Sequence, residues 1–334
     1  MKRFFFLAVA ATMAFAACNK TEVVYPEGPQ EISFTAVSKV ATKAPVAGTT
    51  FSTDDNMRVS AYLSKAVGNE TNVGNYFSDI LFEGDNGTPD EYWVGGQYWP
   101  LFPSTVNFLA ITEKGGGINN TTTTFGTPAA SSATVTLANN NAFAQNDLMY
   151  AVGQGVTDGS GPYDAVSMKF NHALSWINFS FKSNIANKIT VKSVKLTAAY
   201  DGELAVDFSE YASQIALTSD AVTATWTPDA VEEQFAPNSG YTAENGNVVL
   251  VAAATAYPYG GGLLVVPGTY TGRKFVISYQ VDGKDFTYTY PVSQTWEQGK
   301  KYTYNVTMTL NEIKITPSIT DWTTVTPATE VPLS

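Results

Sequence analysis

The sequence predicts an all-β protein, and three observations carry that prediction. The composition favours strands and turns, with 18 Tyr, 19 Phe and 26 Gly in 334 residues. Short segments of alternating apolar and polar residues recur along the chain. No stretch shows helical periodicity over three turns. Strands separated by short turns, without intervening helices, indicate antiparallel β-sandwiches rather than a parallel α/β sheet.

The N-terminus has the features of an export signal. Two basic residues precede an apolar run from Phe4 to Phe15, and two alanines follow. That order predicts a cleaved signal peptide over residues 1–17. The single cysteine, Cys18, follows directly and is the predicted lipidation site of a bacterial lipoprotein, held to the membrane by its acyl chains. An ordinary signal peptide followed by an unmodified cysteine is the alternative.

Alternating segments place the predicted strands in order along the chain. They are Ile32–Ala36, Met57–Leu63, Thr105–Ile111, Ala133–Leu137, Val166–Phe170, Trp176–Phe181, Ile189–Leu196, Val248–Ala253, Phe275–Val281, Phe286–Tyr290 and Lys301–Leu310. Asp282-Gly283 joins two of these segments and predicts a type I′ hairpin, because both central residues of that turn need positive φ. Residues 313–322 are a candidate last strand.

A glycine-rich stretch, Gly153 to Gly161, predicts a domain boundary. It separates an N-terminal β-sandwich domain at residues 44–160 from a C-terminal one at residues 161–334. Two further stretches, Gly115–Gly126 and Gly260–Gly262, are predicted to be loops. Neither is predicted to bind phosphate, because no Lys-Ser/Thr pair and no helix follows it.

Residues suited to catalysis are few. The chain has one His and one Cys. His172 and Ser175 are three residues apart, which sets them on opposite faces of a strand, so a nucleophile–base pair is not expected. We expect the His172 ring nitrogens to bond to backbone groups at a strand end. The sequence predicts no enzyme and no cofactor.

Metal and nucleic-acid sites are not predicted either. Asp54-Asp55-Asn56 and the pair Asp282 and Asp285 lack the spaced ligands of a calcium loop. The net charge of −11 argues against binding to nucleic acid, which needs a basic surface. Tyr92-Trp93 and Tyr98-Trp99 suit either a sugar-stacking platform or core packing, and packing is favoured.

The order of several short motifs resembles the fimbrillin family, the type V pilins that are exported as lipoproteins. After Ile32–Ala36 come Ala41-Thr42-Lys43-Ala44, Asp54-Asp55, Tyr98-Trp99-Pro100, Val106–Ala110, Asp147–Ala151, Val166–Ser175, Val266-Pro267-Gly268, Trp296–Tyr304 and Ile319–Trp322. The resemblance implies two tandem transthyretin-like β-sandwich domains. It also implies a structural, adhesive role in a fimbrium at the outer membrane and cell surface, with other fimbrial subunits as partners.

The resemblance further implies assembly by donor-strand exchange. A protease removes the first strand, and an extended segment of another subunit fills the groove by β-strand addition. In the family the cut generally follows Arg; the matching position here is Lys43, before Ala44, with Lys39 a second candidate. The removable strand would then contribute Ile32, Phe34 and Ala36. A permanent first strand is the alternative.

The C-terminal tail, residues 323–334, is the candidate donor strand. Val325, Val331 and Leu333 supply apolar side chains, and twelve extended residues reach about 40 Å, enough to span one sandwich. Pro327 and Pro332 each remove a ladder donor, so a frayed end is the alternative. The other function considered is a monomeric outer-membrane lipoprotein that binds glycan or host protein.

Overall fold

A computed structural model describes most of the chain after residue 28. The described residues are 29–38, 56–66, 74–85, 92–114, 121–125, 132–138, 140, 145, 147–212, 222–236, 248–250, 256–309 and 313–322. Within these ranges the protein is all-β, as predicted, and one helix of 4 residues is present.

The elements follow one another with short connections in many places. The first ten strands are β1 (Glu31–Ser38), β2 (Met57–Ala66), β3 (Gly74–Asp85), β4 (Tyr92–Tyr98), β5 (Ser104–Lys114), β6 (Thr121–Phe125), β7 (Ser132–Leu137), β8 (Asp147–Thr157), β9 (Val166–His172) and β10 (Ser175–Ser183). Then come β11 (Ile189–Ala198), β12 (Gly202–Asp207), α1 (Ser209–Ala212), β13 (Thr223–Pro228), β14 (Glu232–Phe235), β15 (Val248–Leu250), β16 (Tyr257–Val265), β17 (Lys274–Val281), β18 (Lys284–Pro291), β19 (Lys300–Met308) and β20 (Ile313–Asp321).

Seven strands form a closed sheet in the order β1-β4-β3-β2-β5-β8-β9. The other strands form three open sheets, ordered β16-β10-β19-β20, β14-β11-β17-β18 and β13-β12-β7-β6, and β15 pairs with β11. One apolar core fills the closed sheet, and a second lies between the sheets of β10 and β11. A third core joins the two regions, because it contains Leu109 of β5, Val135 of β7, Leu204 of β12 and Trp176 of β10.

Each predicted strand segment overlaps an observed strand, and the predicted last strand is β20, which pairs with β19. The predicted hairpin between β17 and β18 is confirmed. Val281 pairs with Lys284 across a two-residue turn, and φ is 46° at Asp282 and 83° at Gly283. These positive angles are those that a type I′ turn requires.

Among the described strands two pairings are parallel, so the sheets are not antiparallel throughout, as the predicted antiparallel sandwiches would be. β1 runs parallel to β9, and β10 runs parallel to β19. In each pair the partners are far apart in the sequence and are not joined by a turn. Turn residues specify hairpins between consecutive strands, so they carry no information on such pairings.

Several glycine-rich or threonine-rich stretches that were predicted as breakers or loops lie within strands. β8 contains Gly153 and Gly155, β16 contains Gly260–Gly262, and β6 contains the threonines 121–124. A Cβ at Gly155 would overlap the Trp99 ring, and one at Gly153 would overlap the Met168 sulfur. The glycines of β8 therefore make room for large side chains inside the closed sheet.

The strand that follows the predicted boundary at 160/161 remains in the closed sheet, since β9 pairs with β8 and β1. The chain crosses to the neighbouring sheets after His172, where β10 pairs with β16 and β19. β7, from before the boundary, pairs with β12, from after it. One sheet is thus shared between the two halves of the chain.

Candidate functional site

The first strand closes the seven-stranded sheet. Its first half pairs antiparallel with β4, matching Ser33 with Val94 and Phe34 with Trp93. Its second half pairs parallel with β9, from Phe34 with Val166 to Ser38 with Phe170. Without β1, the edges of β4 and β9 would present unpaired N–H and C=O groups, which readily accept another strand. We call the space that β1 fills between β4 and β9 the β1 groove.

Two side chains of β1 are fully buried in the groove. Ile32 and Phe34 are both 0% exposed and belong to the core of the closed sheet. The Phe34 ring meets Phe82 and Phe108 edge-on, with centroids 4.9 and 5.1 Å away. Burying two side chains of this size contributes about 3 to 6 kcal/mol. The alternation of β1 therefore seats it firmly in the core, as its sequence pattern predicts.

Polar contacts fix the start of β1. The Gln30 side-chain amide donates from Nε2 to the Tyr163 carbonyl at 2.5 Å, and its Oε1 accepts from the Tyr163 N–H at 2.6 Å. The Trp99 N–H donates to the Gln30 carbonyl at 2.8 Å. The Glu31 carboxylate accepts from the Gly96 N–H at 2.8 Å. These bonds define a register from the first residue that enters the groove.

A cavity of about 310 Å³ lies at this mouth of the groove, lined by Pro29, Gln30, Trp99, Leu101 and Tyr163 among others. The Trp99 and Tyr163 rings are 5.3 Å apart and form one wall. The Tyr163 hydroxyl donates to Asp158 at 3.0 Å, which holds the ring in place. The pKa of Asp158 is lowered, chiefly because its carboxylate accepts a hydrogen bond from the Ser160 backbone N–H. The mouth is thus a preformed aromatic recess next to the end of β1.

The remaining predicted processing and assembly residues lie outside the described ranges. They are Cys18, Lys39, Lys43, Ala44, Val325, Val331 and Leu333. Ala36 lies in β1, where its backbone pairs with Met168. The structure therefore describes the strand that is predicted to be removed, but not the predicted cut site or the tail.

His172 lies at the end of β9 and is buried. The prediction that its ring nitrogens bond to backbone groups is wrong. Its Nδ1 lies 2.6 Å from a carboxylate oxygen of Asp147, at the start of β8. Its ring stacks on Trp322, with centroids 3.8 Å apart. The sequence analysis missed these partners because they are distant in the chain. Ser175 is separate, as expected, since its hydroxyl donates to the Glu297 carbonyl at 2.7 Å.

The predicted core role of the paired aromatic residues is confirmed for the tryptophans. Trp93 is 2% exposed and Trp99 is 4% exposed. Tyr98 is 46% exposed, but Trp93 and Trp99 are too buried to form a stacking surface with it. The arrangement therefore favours packing over a sugar platform at these positions.

Among the described residues, no group of three or more His, Cys, Asp or Glu side chains is placed to hold a metal ion. No helix in the described part of the chain is long and apolar enough to cross a membrane. The β1 groove, with its mouth, is where the structure places the residues of the predicted removable strand, Ile32, Phe34 and Ala36.

Comparisons with known proteins agree with this architecture. A family model described as fimbrillin-like matches residues 42–322. The crystal structure of a fimbrial protein from Bacteroides vulgatus is similar, with 18% identity, 87% of this chain and 99% of that chain covered, and a TM-score of 0.55. That of a proposed cell adhesion protein from Bacteroides ovatus has 16% identity, covers 90% and 100% of the two chains, and gives a TM-score of 0.50. At these identities the structures show a shared fold alone. No curated protein sequence matches the chain.

Proposed function

The chain belongs to the fimbrillin-like family, and on that premise we propose that it is a structural subunit of a bacterial surface fimbrium, polymerised by donor-strand exchange. The observation that carries this proposal is the position of β1. This strand pairs with β4 on one side and β9 on the other within the closed sheet, and it buries Ile32 and Phe34 fully. Its removal would leave a groove with two open edges and vacant apolar pockets, which an extended segment from another subunit would fill.

The position of the expected cut supports this proposal. The segment that joins β1 to β2 contains both candidate sites, Lys39 and Lys43. A cut there separates β1 from the remaining chain without breaking any strand of the closed sheet. The family match begins at residue 42 and ends at residue 322, so β1 and the tail both lie outside it. Those two segments are the ones that exchange in the proposed mechanism.

Export as a lipoprotein is part of the same proposal. Residues 1–17 would be removed, and acylated Cys18 would hold the subunit at the outer membrane until a protease releases it. Cleavage after Lys43 would then free the rest of the chain from its anchor. Anchorage and the covalent attachment of β1 would therefore end in one step.

We also propose that the chain forms two transthyretin-like domains and that the boundary between them lies between β9 and β10. β9 lies in the closed sheet, whereas β10 begins the sheet order β16-β10-β19-β20. The core that joins the two regions buries Trp176 and Leu109 from either side. We therefore expect the two domains to move as one body.

The test uses the full chain with residues 39–43 replaced by the site of a sequence-specific protease. Cutting the folded chain should convert monomers into polymers that resist mild denaturant, seen by size-exclusion chromatography and electron microscopy. The uncut chain is the matched control, and a cut chain that lacks residues 323–334 tests the tail. A cut chain that loses β1 and stays monomeric would contradict polymerisation and favour the monomeric lipoprotein.

A further inference from the structure

The strand β18, Lys284–Pro291, lies at the edge of its sheet. It pairs with β17 on one side, and among the described strands none pairs with it on the other. The open side of an edge strand offers unpaired N–H and C=O groups to another chain. We propose that two copies of this chain join through this edge, with their β18 strands antiparallel about a two-fold axis at Thr287. This contact goes beyond the proposed function and leaves the β1 groove untouched.

The hairpin turn determines which backbone groups of β18 are free to pair. Val281 and Lys284 close the two-residue turn, so they exchange hydrogen bonds with each other. Such pairs alternate along antiparallel strands, so the N–H and C=O groups of Asp285, Thr287 and Thr289 point away from β17. All three residues are exposed. The proposed axis sets Thr287 opposite its own copy and Asp285 opposite Thr289 of the second copy, so each pair can exchange two hydrogen bonds.

The inner face of β18 is complementary to itself in this register. Phe286 of this face is 39% exposed and stacks on Tyr279 of β17, with ring centroids 5.5 Å apart. The axis sets Phe286 opposite Tyr288 of the second copy and Lys284 opposite Tyr290 of the second copy. Aromatic pairs across neighbouring strands are favourable, and an ammonium group is attracted to an aromatic face. Every inward position therefore gains a suitable partner.

Charge and strand length also fit the register. Asp285 already forms an ion pair with Lys192, at 2.8 Å from Nζ to the carboxylate. Across the axis it faces Thr289 of the second copy, so like charges are not set opposite each other. Pro291 has no N–H to donate, and it lies opposite Gly283 of the second copy, where the hairpin turns. The ladder therefore ends where the strand ends.

Two other edge strands carry features that oppose self-pairing. β20 has Pro317 at its centre, and β14 has Glu232 and Glu233 among its four residues. Prolines and like charges at an edge block the addition of another strand. β18 has no proline before its last residue, and its charged side chains, Lys284 and Asp285, have opposite signs. The edge of β18 is therefore better suited to a second copy than those of β14 and β20.

The contact involves one strand from each copy, which is smaller than a standard protein interface. We therefore expect a weak dimer whose population rises with protein concentration. Repeated along a polymer, such weak contacts would act together and hold two polymers side by side.

The test uses the uncut full chain, in which β1 remains in its groove. Sedimentation velocity from about 1 to 300 μM should show a monomer–dimer equilibrium. Thr287→Asp and Thr287→Lys each set two like charges opposite each other, so each variant alone should dimerise at least about fivefold more weakly. An equimolar mixture of the two variants should recover the dimer, because the two-fold register sets position 287 opposite itself.

Thr316→Asp and Thr316→Lys, at an exposed position of β20, are the matched controls and should leave the dimer unchanged. Circular dichroism establishes that each variant is folded. The inference would be overturned by an unmodified chain that stays monomeric, by a dimer that the Thr287 variants do not weaken, or by a mixture no stronger than its components. Each of these results leaves strand exchange standing, whereas failure of the cut, unmodified chain to polymerise would overturn the proposed function alone.

Discussion

The imidazole of His172 stacks on the indole of Trp322, with centroids 3.8 Å apart and planes inclined by 9°. The stack joins the end of β9, in the closed sheet, to the residue that follows β20. The backbone N–H of Trp322 also donates to the Gly299 carbonyl at 2.9 Å. The last described residue of the chain is therefore held in place by buried contacts.

Replacing Trp322 by alanine should lower the free energy of unfolding by about 3 to 5 kcal/mol, because it removes a large side chain that is 4% exposed. Urea denaturation followed by circular dichroism measures the change. Ile319→Ala, in β20 but 50% exposed, is the control and should cost about 0.5 kcal/mol or less. Equal losses in the two variants would contradict an anchoring role for the stack.

Replacing Phe34 by alanine in the uncut chain should destabilise it by about 3 to 5 kcal/mol, because the ring packs between Phe82 and Phe108. Ser33 points away from the core, so Ser33→Ala should change the free energy of unfolding little. Limited proteolysis between β1 and β2 provides the second measurement. We expect β1 to be released faster from the Phe34 variant than from the Ser33 variant. Similar rates in the two variants would argue against the role of Phe34 in holding β1 in the groove.

Replacing Gly155 by alanine should destabilise the closed sheet by about 1 to 3 kcal/mol, because the new methyl group would overlap the Trp99 ring. Val156→Ala, at the next position of β8 and 67% exposed, is the matched control. Thermal unfolding distinguishes them. A stable Gly155 variant with an unchanged Trp99 environment would show that the strand has more room than the structure indicates.

Alkaline pH should weaken the fold between about pH 10 and 12. Burial raises the pKa of Tyr304 to about 12, and the Trp296 N–H that donates to its oxygen lowers it by a smaller amount. The unfolded chain loses this proton first, near pH 10, so the contribution of Tyr304 to stability is complete below that pH and falls by about 3 kcal/mol as pH rises to 12.

Denaturant unfolding at a series of pH values measures this fall. Burial also raises the pKa of Tyr270 to about 12, so Tyr304→Phe should remove part of the pH dependence, not all of it. An unchanged slope in that variant would place the titrating group elsewhere.

The local sequence predicted much of the fold. Alternation identified the strands around Ile32, Met57 and Tyr302, and Asp282-Gly283 specified its turn, because pleating and φ preferences act within a few residues. The pattern of β1 also identified its two buried side chains. Gly153 and Gly155 were predicted to belong to a domain boundary, but they lie within β8. Glycine is needed there because side chains from other segments approach the backbone closely.

What the sequence determined by itself is therefore the set of strands, their inward faces and the hairpin turn, together with a resemblance that the family match bears out. Only the tertiary structure decided that β1 closes a seven-stranded sheet, that it runs parallel to β9, and that His172 meets Asp147 and Trp322. These contacts join residues far apart in the chain. They depend on how whole sheets pack, which no short stretch of sequence encodes.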